Sequence, residues 1–107
     1  MNAVIYARYS SSNQTEASIE GQMRECNEYA KKNGINIVGT YIDRARSATT
    51  DNRPDFKKMI KDSSNKKFDA VIVWKLDRFA RNRYDSAKYE ATLKKNGVKV
   101  ISIAEHI

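Results

Sequence analysis

Arg8 and Ser10 stand two residues apart at the end of the apolar, β-type run Val4-Ile5-Tyr6-Ala7-Arg8-Tyr9. In a strand, residues two apart share a face, so Tyr6, Arg8 and Ser10 point the same way and Ser10 falls where the strand runs out. Asp77, Arg78 and Arg81 follow a second apolar run, Ala70 to Trp74, and Arg53 closes a polar stretch between them. Guanidinium groups grip a phosphodiester well, because their planar forks match phosphate oxygens bidentately and keep their charge at any working pH. They also stabilise the charge that builds on those oxygens as a nucleophile attacks. The chemistry this residue set suggests is phosphoryl transfer to the Ser10 hydroxyl. A serine hydrolase arrangement lacks its base, since the single histidine, His106, lies at the far terminus. A plainer reading competes at each point: Ser10 to Ser12 form a turn and cap a helix, and Arg78 and Arg81 are a solvated helix face paired with Asp77 and Asp85.

The elements that would position these residues alternate strictly. Ala3 to Tyr9 reads as the first strand. A helix from about Ala17 to Asn33 carries Ile19, Met23, Cys26 and Ala30 at helical spacing and stops at Gly34. Ile35 to Ile42 gives the second strand, and Asp43 to Asn52 a polar, mobile loop. Pro54 opens a helix striped by Phe56, Met59 and Ile60 that ends around Ser63 to Asn65. Asp69 to Lys75 is a strand apolar on both faces, fit for the middle of a covered parallel sheet. Asn82 and Asp85 have capping-box spacing and open a helix with Ala87, Ala91 and Leu93 that stops at Gly97. Val98 to Ile103 is the fourth strand. Such alternation implies right-handed crossovers and an α/β fold: a doubly wound, mainly parallel four-stranded sheet in the order 2-1-3-4 with helices on both faces. That order places the carboxyl ends of strands one and three side by side, so Arg8 and Ser10 would face Asp77, Arg78 and Arg81 at the switch point.

Composition narrows the partner. At 107 residues the chain is one domain, and twenty Lys plus Arg against thirteen Asp plus Glu give a formal charge of +7. A polyanion is the expected partner, and composition by itself does not separate nucleic acid from an anionic membrane surface. No apolar run is long enough to span a bilayer, so a soluble, cytoplasmic protein is expected. One cysteine, Cys26, excludes an internal disulfide and reads as small core filler. With one histidine besides, a zinc site is not expected. No glycine lies between Met1 and Glu20, which argues against a dinucleotide or P-loop site after strand one.

Three blocks together resemble the serine recombinase catalytic domain, the resolvase/invertase family, and in particular its large-recombinase branch. They are Tyr6-Ala7-Arg8-Tyr9-Ser10-Ser11 with Gln14 and Ala17-Ser18-Ile19-Glu20-Gly21-Gln22, then Asp51 to Phe56, then Lys75 to Arg81. The resemblance implies that Ser10 is a nucleophile that joins to a DNA 5′ phosphate and leaves a free 3′ hydroxyl. It implies that Arg8, Arg53, Arg78 and Arg81 are the active-site arginines, that Asp77 is the carboxylate, and that Gln14, Tyr6 and Gln22 support the pocket or the DNA phosphate. It further implies DNA as partner, a tetramer that exchanges strands by subunit rotation, and no metal or cofactor. Ser47-Ala48 departs from the Ser-Gly common in the family and would stiffen the loop that carries Arg53. Relatives continue into a long interface helix and DNA-binding domains, so the chain is expected to be a catalytic domain alone, weakly associated or monomeric. The alternative is a catalytically silent binding or assembly module with the same fold.

Overall fold

The computed structural model describes residues 1–9, 16–44, 54–74 and 83–103. Among these residues seven elements follow one another: β1 (Asn2–Tyr9), α1 (Glu16–Lys32), β2 (Asn36–Arg44), α2 (Pro54–Ser63), β3 (Ala70–Val73), α3 (Arg83–Lys95) and β4 (Lys99–Ser102). All strand pairs are parallel and the order is β2-β1-β3-β4, the doubly wound arrangement expected from the alternation.

Alternation along β1 divides the core in two. Ala3 and Ile5 pack with Cys26 and Ala30 of α1 and with Ala70 and Ile72 of β3 on one face. Val4 and Tyr6 pack with Phe56 and Met59 of α2, Val71 and Val73 of β3, and Leu93 of α3 on the other. All four β3 residues are buried, as a central parallel strand requires. Each buried Val, Leu, Ile, Phe or Met contributes about 1.5–3 kcal/mol. The aromatic chain Tyr6–Phe56–Tyr89 adds edge-to-face contacts, with ring centroids 5.2 and 4.8 Å apart.

Helix ends obey the sequence signals. Gly34 and Gly97 adopt φ of 68° and 80°, and the residues after them close the helices, Ile35 N–H donating to Ala30 O and Val98 N–H to Leu93 O, both at 2.8 Å.

Three boundaries and one helix face differ from expectation. β2 runs on to Arg44, so Asp43 belongs to a strand rather than to the polar loop. β3 spans only Ala70–Val73 and leaves Trp74 half-buried beyond it, and β4 is trimmed to Lys99–Ser102. In α3, Ala87 and Ala91 are exposed, and the helix packs through Leu93 and the partly buried Tyr89. Small alanines spaced four apart carry less apolar area than Tyr89 and Leu93, also four apart, so the larger pair decides which face turns inward.

A bulge in β2 decides how its second half faces. Ala3 pairs with Ile37 but Val4 pairs with Gly39, leaving Val38 as the extra residue, 47% exposed on the sheet edge. The alternation of the strand is thereby reversed. Ile35 and Ile37 pack on the α1 side, whereas Tyr41 packs on the α2 side.

Candidate functional site at the carboxyl ends of the strands

Because of that bulge, Asp43 stands beside Arg8 in register, just as Tyr41 stands beside Tyr6. Parallel neighbours in register share a face, so the Arg8 and Asp43 side chains leave the sheet on the α2 side. Both are buried, with 8% and 5% of their surface exposed. A buried carboxylate needs donors. Among the described residues Asp43 has three: Tyr6 O–H donates to Oδ2 at 2.8 Å, Phe56 N–H to Oδ2 at 3.0 Å, and Asp55 N–H to Oδ1 at 3.0 Å. The last two are among the first backbone N–H groups of α2, which have no partner within the helix. Asp43 thus caps α2 from the neighbouring strand, its negative charge on the positive end of the helix. Asp55 replies by accepting Ile42 N–H on Oδ2 at 3.0 Å. Strand and helix are clasped at the residue where the chain leaves Arg53 and enters Pro54.

Gln22 fixes the other side of Arg8. Asn2 C=O accepts a hydrogen bond from Asp69 N–H, so the backbone groups of even-numbered β1 residues are directed toward β3. Among the described residues the β1–β3 pairing ends at Ile5 and Ile72, so on its β3 side Arg8 lies beyond the ladder. The buried Gln22 amide takes that place: its Nε2 donates to Arg8 O at 3.0 Å and its Oε1 accepts from Arg8 N–H at 3.4 Å. One side chain of α1 thereby extends the hydrogen bonding of β1 past the last β1–β3 pair. Residues Gly21 and Gln22 sit within the helix, where glycine costs helical stability and meets no atom that would exclude a Cβ.

Of the residues singled out in the sequence, Tyr6, Arg8 and Gln22 are thus brought together. Ser10, Gln14, Arg53, Asp77, Arg78 and Arg81 lie outside the described residues, as do His106 and the stretch from 45 to 53. Asp43 and Asp55 were not singled out. The sequence shows them only as a strand end and a first-turn acid, and the bulge that turns Asp43 toward Tyr6 has no sequence signal beyond Gly39.

Among the described residues no cluster of three or more His, Cys, Asp or Glu could hold a metal ion, and no helix is long and apolar enough to cross a membrane. Cys26 is fully buried under α1, and burial, with Glu25 nearby, pushes its thiol up to about 12. It is a packing residue and not a nucleophile.

The family model of the resolvase N-terminal domain matches residues 3–107. The chain belongs to the resolvase family. Solved structures agree. It is similar to a resolvase family site-specific recombinase from Streptococcus pneumoniae, with 32% identity over 100% of this chain and 74% of that one and a TM-score of 0.89. The N-terminal catalytic domain of TP901-1 integrase matches at 32% identity over 100% of this chain and 80% of that one, with a TM-score of 0.86. The C-terminal catalytic domain of ISC1926 TnpA, an IS607-like serine recombinase, matches at 30% identity over 99% and 72%, with a TM-score of 0.84. No curated protein sequence matches.

Proposed function

We propose that the chain is the catalytic domain of a site-specific DNA recombinase and that Ser10 is its nucleophile. The observation that carries this reading is the placement of β1. It is a central strand, α1 leaves it on one face while α2 and α3 cover the other, and its carboxyl end adjoins that of β3, where ligands bind in open α/β sheets. Ser10 comes directly after Tyr9, two residues past an Arg8 whose backbone is held by Gln22.

In this reading the Ser10 hydroxyl attacks a phosphodiester of DNA. A bond forms between the serine oxygen and phosphorus, the bond from phosphorus to the 3′ oxygen breaks, the hydroxyl proton is passed on, and the 3′ oxygen leaves as a hydroxyl. The phosphoserine link conserves the energy of the broken bond, so religation is the same step in reverse. Arg8, Arg53, Arg78 and Arg81 supply the charge that the pentacoordinate phosphorus requires, and none of this asks for a metal or cofactor. Asp77 orients an arginine or takes part in proton transfer. Gln14 supports the pocket. Tyr6 does so through Asp43, which fixes the start of α2 beside Arg53, and Gln22 through Arg8. Strand exchange takes place in a tetramer of such domains.

The test is a nicked cognate substrate that traps the cleaved state, resolved on a denaturing gel. The unaltered protein forms a covalent adduct, and Ser10→Ala forms none while site binding stays nearly the same, since one hydroxyl adds little to an interface dominated by phosphate contacts. An adduct of undiminished yield with Ser10→Ala would remove Ser10 from the role.

A further inference from the structure

The basic residues of this chain divide by type along the sequence. Seven of the eight arginines follow or end the strands, Arg24 being the exception, whereas eight of the twelve lysines lie where helices end and strands begin. Six of those lysines form one group on the α2 and α3 side: Lys61, Lys66, Lys67, Lys94, Lys95 and Lys99. All six are exposed. Asn96 Nδ2 donates to Ser63 Oγ at 2.9 Å, and Lys99 N–H donates to Asp69 O at 3.1 Å, so the two turns that carry them are tied together. The acids nearby are already engaged, Asp62 Oδ2 by the Tyr41 hydroxyl at 2.7 Å and Asp69 Oδ2 by Asn2 N–H at 3.1 Å.

Lysines in a last helical turn offset the helix dipole, which accounts for Lys61, Lys94 and Lys95. It does not account for Lys66, Lys67 and Lys99, which lie outside any helix. Lys66 is the clearest case. It adopts φ of 55° at the exit from α2, whereas α1 and α3 exit through Gly34 and Gly97. A lysine in the left-handed region is strained where glycine would be free, and strain that persists points to a role for the side chain.

We propose that this lysine pole is a second DNA-contacting surface that holds the phosphate backbone of a duplex segment other than the one being cut. The inference rests on the reading that the chain acts on DNA. β1 separates the pole from the strand end by roughly 25 Å at about 3.3 Å per residue, so a straight duplex seated at the strand end does not reach it. Lysine ammonium groups on flexible stems suit contact with phosphates without base readout, whereas forked arginines suit fixed geometry.

The test titrates the chain with a duplex of random sequence at about 50 and 200 mM salt, comparing Lys66→Gly/Lys94→Gln/Lys95→Gln with a variant of equal charge loss elsewhere on the helices, Arg24→Gln/Lys58→Gln/Lys88→Gln. The pole variant is expected to bind about tenfold more weakly at the lower salt, with the slope of log affinity against log salt reduced by about 2 to 3, and the control to stay within about twofold. Lys66→Gly alone should raise the unfolding midpoint while weakening binding. A residue with only a structural role would move the midpoint alone. Equal losses in the two triple variants would mean diffuse attraction to net charge and overturn the proposal, as would undiminished binding by the pole variant. If the unaltered chain bound no duplex at either salt, the reading of the chain as a DNA enzyme would fall with it.

Discussion

Gln22 bonds the backbone of Arg8 on the side away from β2, and truncating it exposes how much the strand end depends on that amide. Gln22→Ala leaves Arg8 N–H and C=O without their side-chain partner at a buried position, a loss of about 1–3 kcal/mol for unmet polar groups. We expect cleavage to fall by more than stability alone explains, measured as adduct formation per folded molecule, because Ser10 follows Arg8 by only two residues in the chain. If adduct yield tracked only the folded fraction, Gln22 would be a packing residue. Arg8 itself is expected to act through its fork as well as its charge. Arg8→Lys keeps the charge and should still slow cleavage on the order of 100-fold. Cleavage at the parental rate would reduce Arg8 to part of a generic basic surface.

Among the elements, α2 is fastened to β2 at both ends. Asp43 caps its start, and Asp62 near its end accepts the Tyr41 hydroxyl at 2.7 Å. Asp43→Asn keeps the size of the side chain but leaves one acceptor oxygen for three donors, and should destabilise by about 1–3 kcal/mol in urea unfolding. Burial and Asp62 push the Tyr41 hydroxyl up to about 12 from its ordinary 10. The folded state therefore favours the protonated phenol. This contribution to stability is fully present below pH 10 and is lost as pH rises toward 12. Tyr41→Phe should flatten the alkaline decline over that window, though not abolish it, because Cys26 is raised in the same direction over pH 9 to 12. An unchanged alkaline profile in Tyr41→Phe would show that the pair does not govern it. The order of strands and the two-sided core were legible in the sequence, because strict alternation, glycine stops after α1 and α3, and the apolar run at Ala70 to Val73 all agree. The role of Asp43 was not. Read with period 2 from Ile35 and Ile37, Asp43 falls on the α1 face, and only the bulge at Val38 turns it to meet Tyr6 and α2. The burial pattern of α3 was similarly hidden, because Ala87 and Ala91 share helical spacing with each other, and only the greater area of Tyr89 and Leu93 on another face decides which side turns inward.

At the scale of the whole molecule, a compact body with its longest dimension at 34 Å and a formal charge of +7 presents exposed lysines where α2 and α3 end and β3 and β4 begin. Binding of this chain to DNA should accordingly be salt-sensitive and indifferent to sequence, since in the proposed reading its contacts go to phosphate and none of the described elements is free to lie in a groove. The proposed chemistry, however, turns on one bond. The most direct measurement is to digest the trapped protein–DNA adduct with protease and nuclease and to map the modified peptide by mass spectrometry. We predict a single modified site, Ser10, bearing a nucleotide through its 5′ phosphate, with a free 3′ hydroxyl on the released strand. A nucleotide on any other residue, or attachment through a 3′ phosphate, would contradict it.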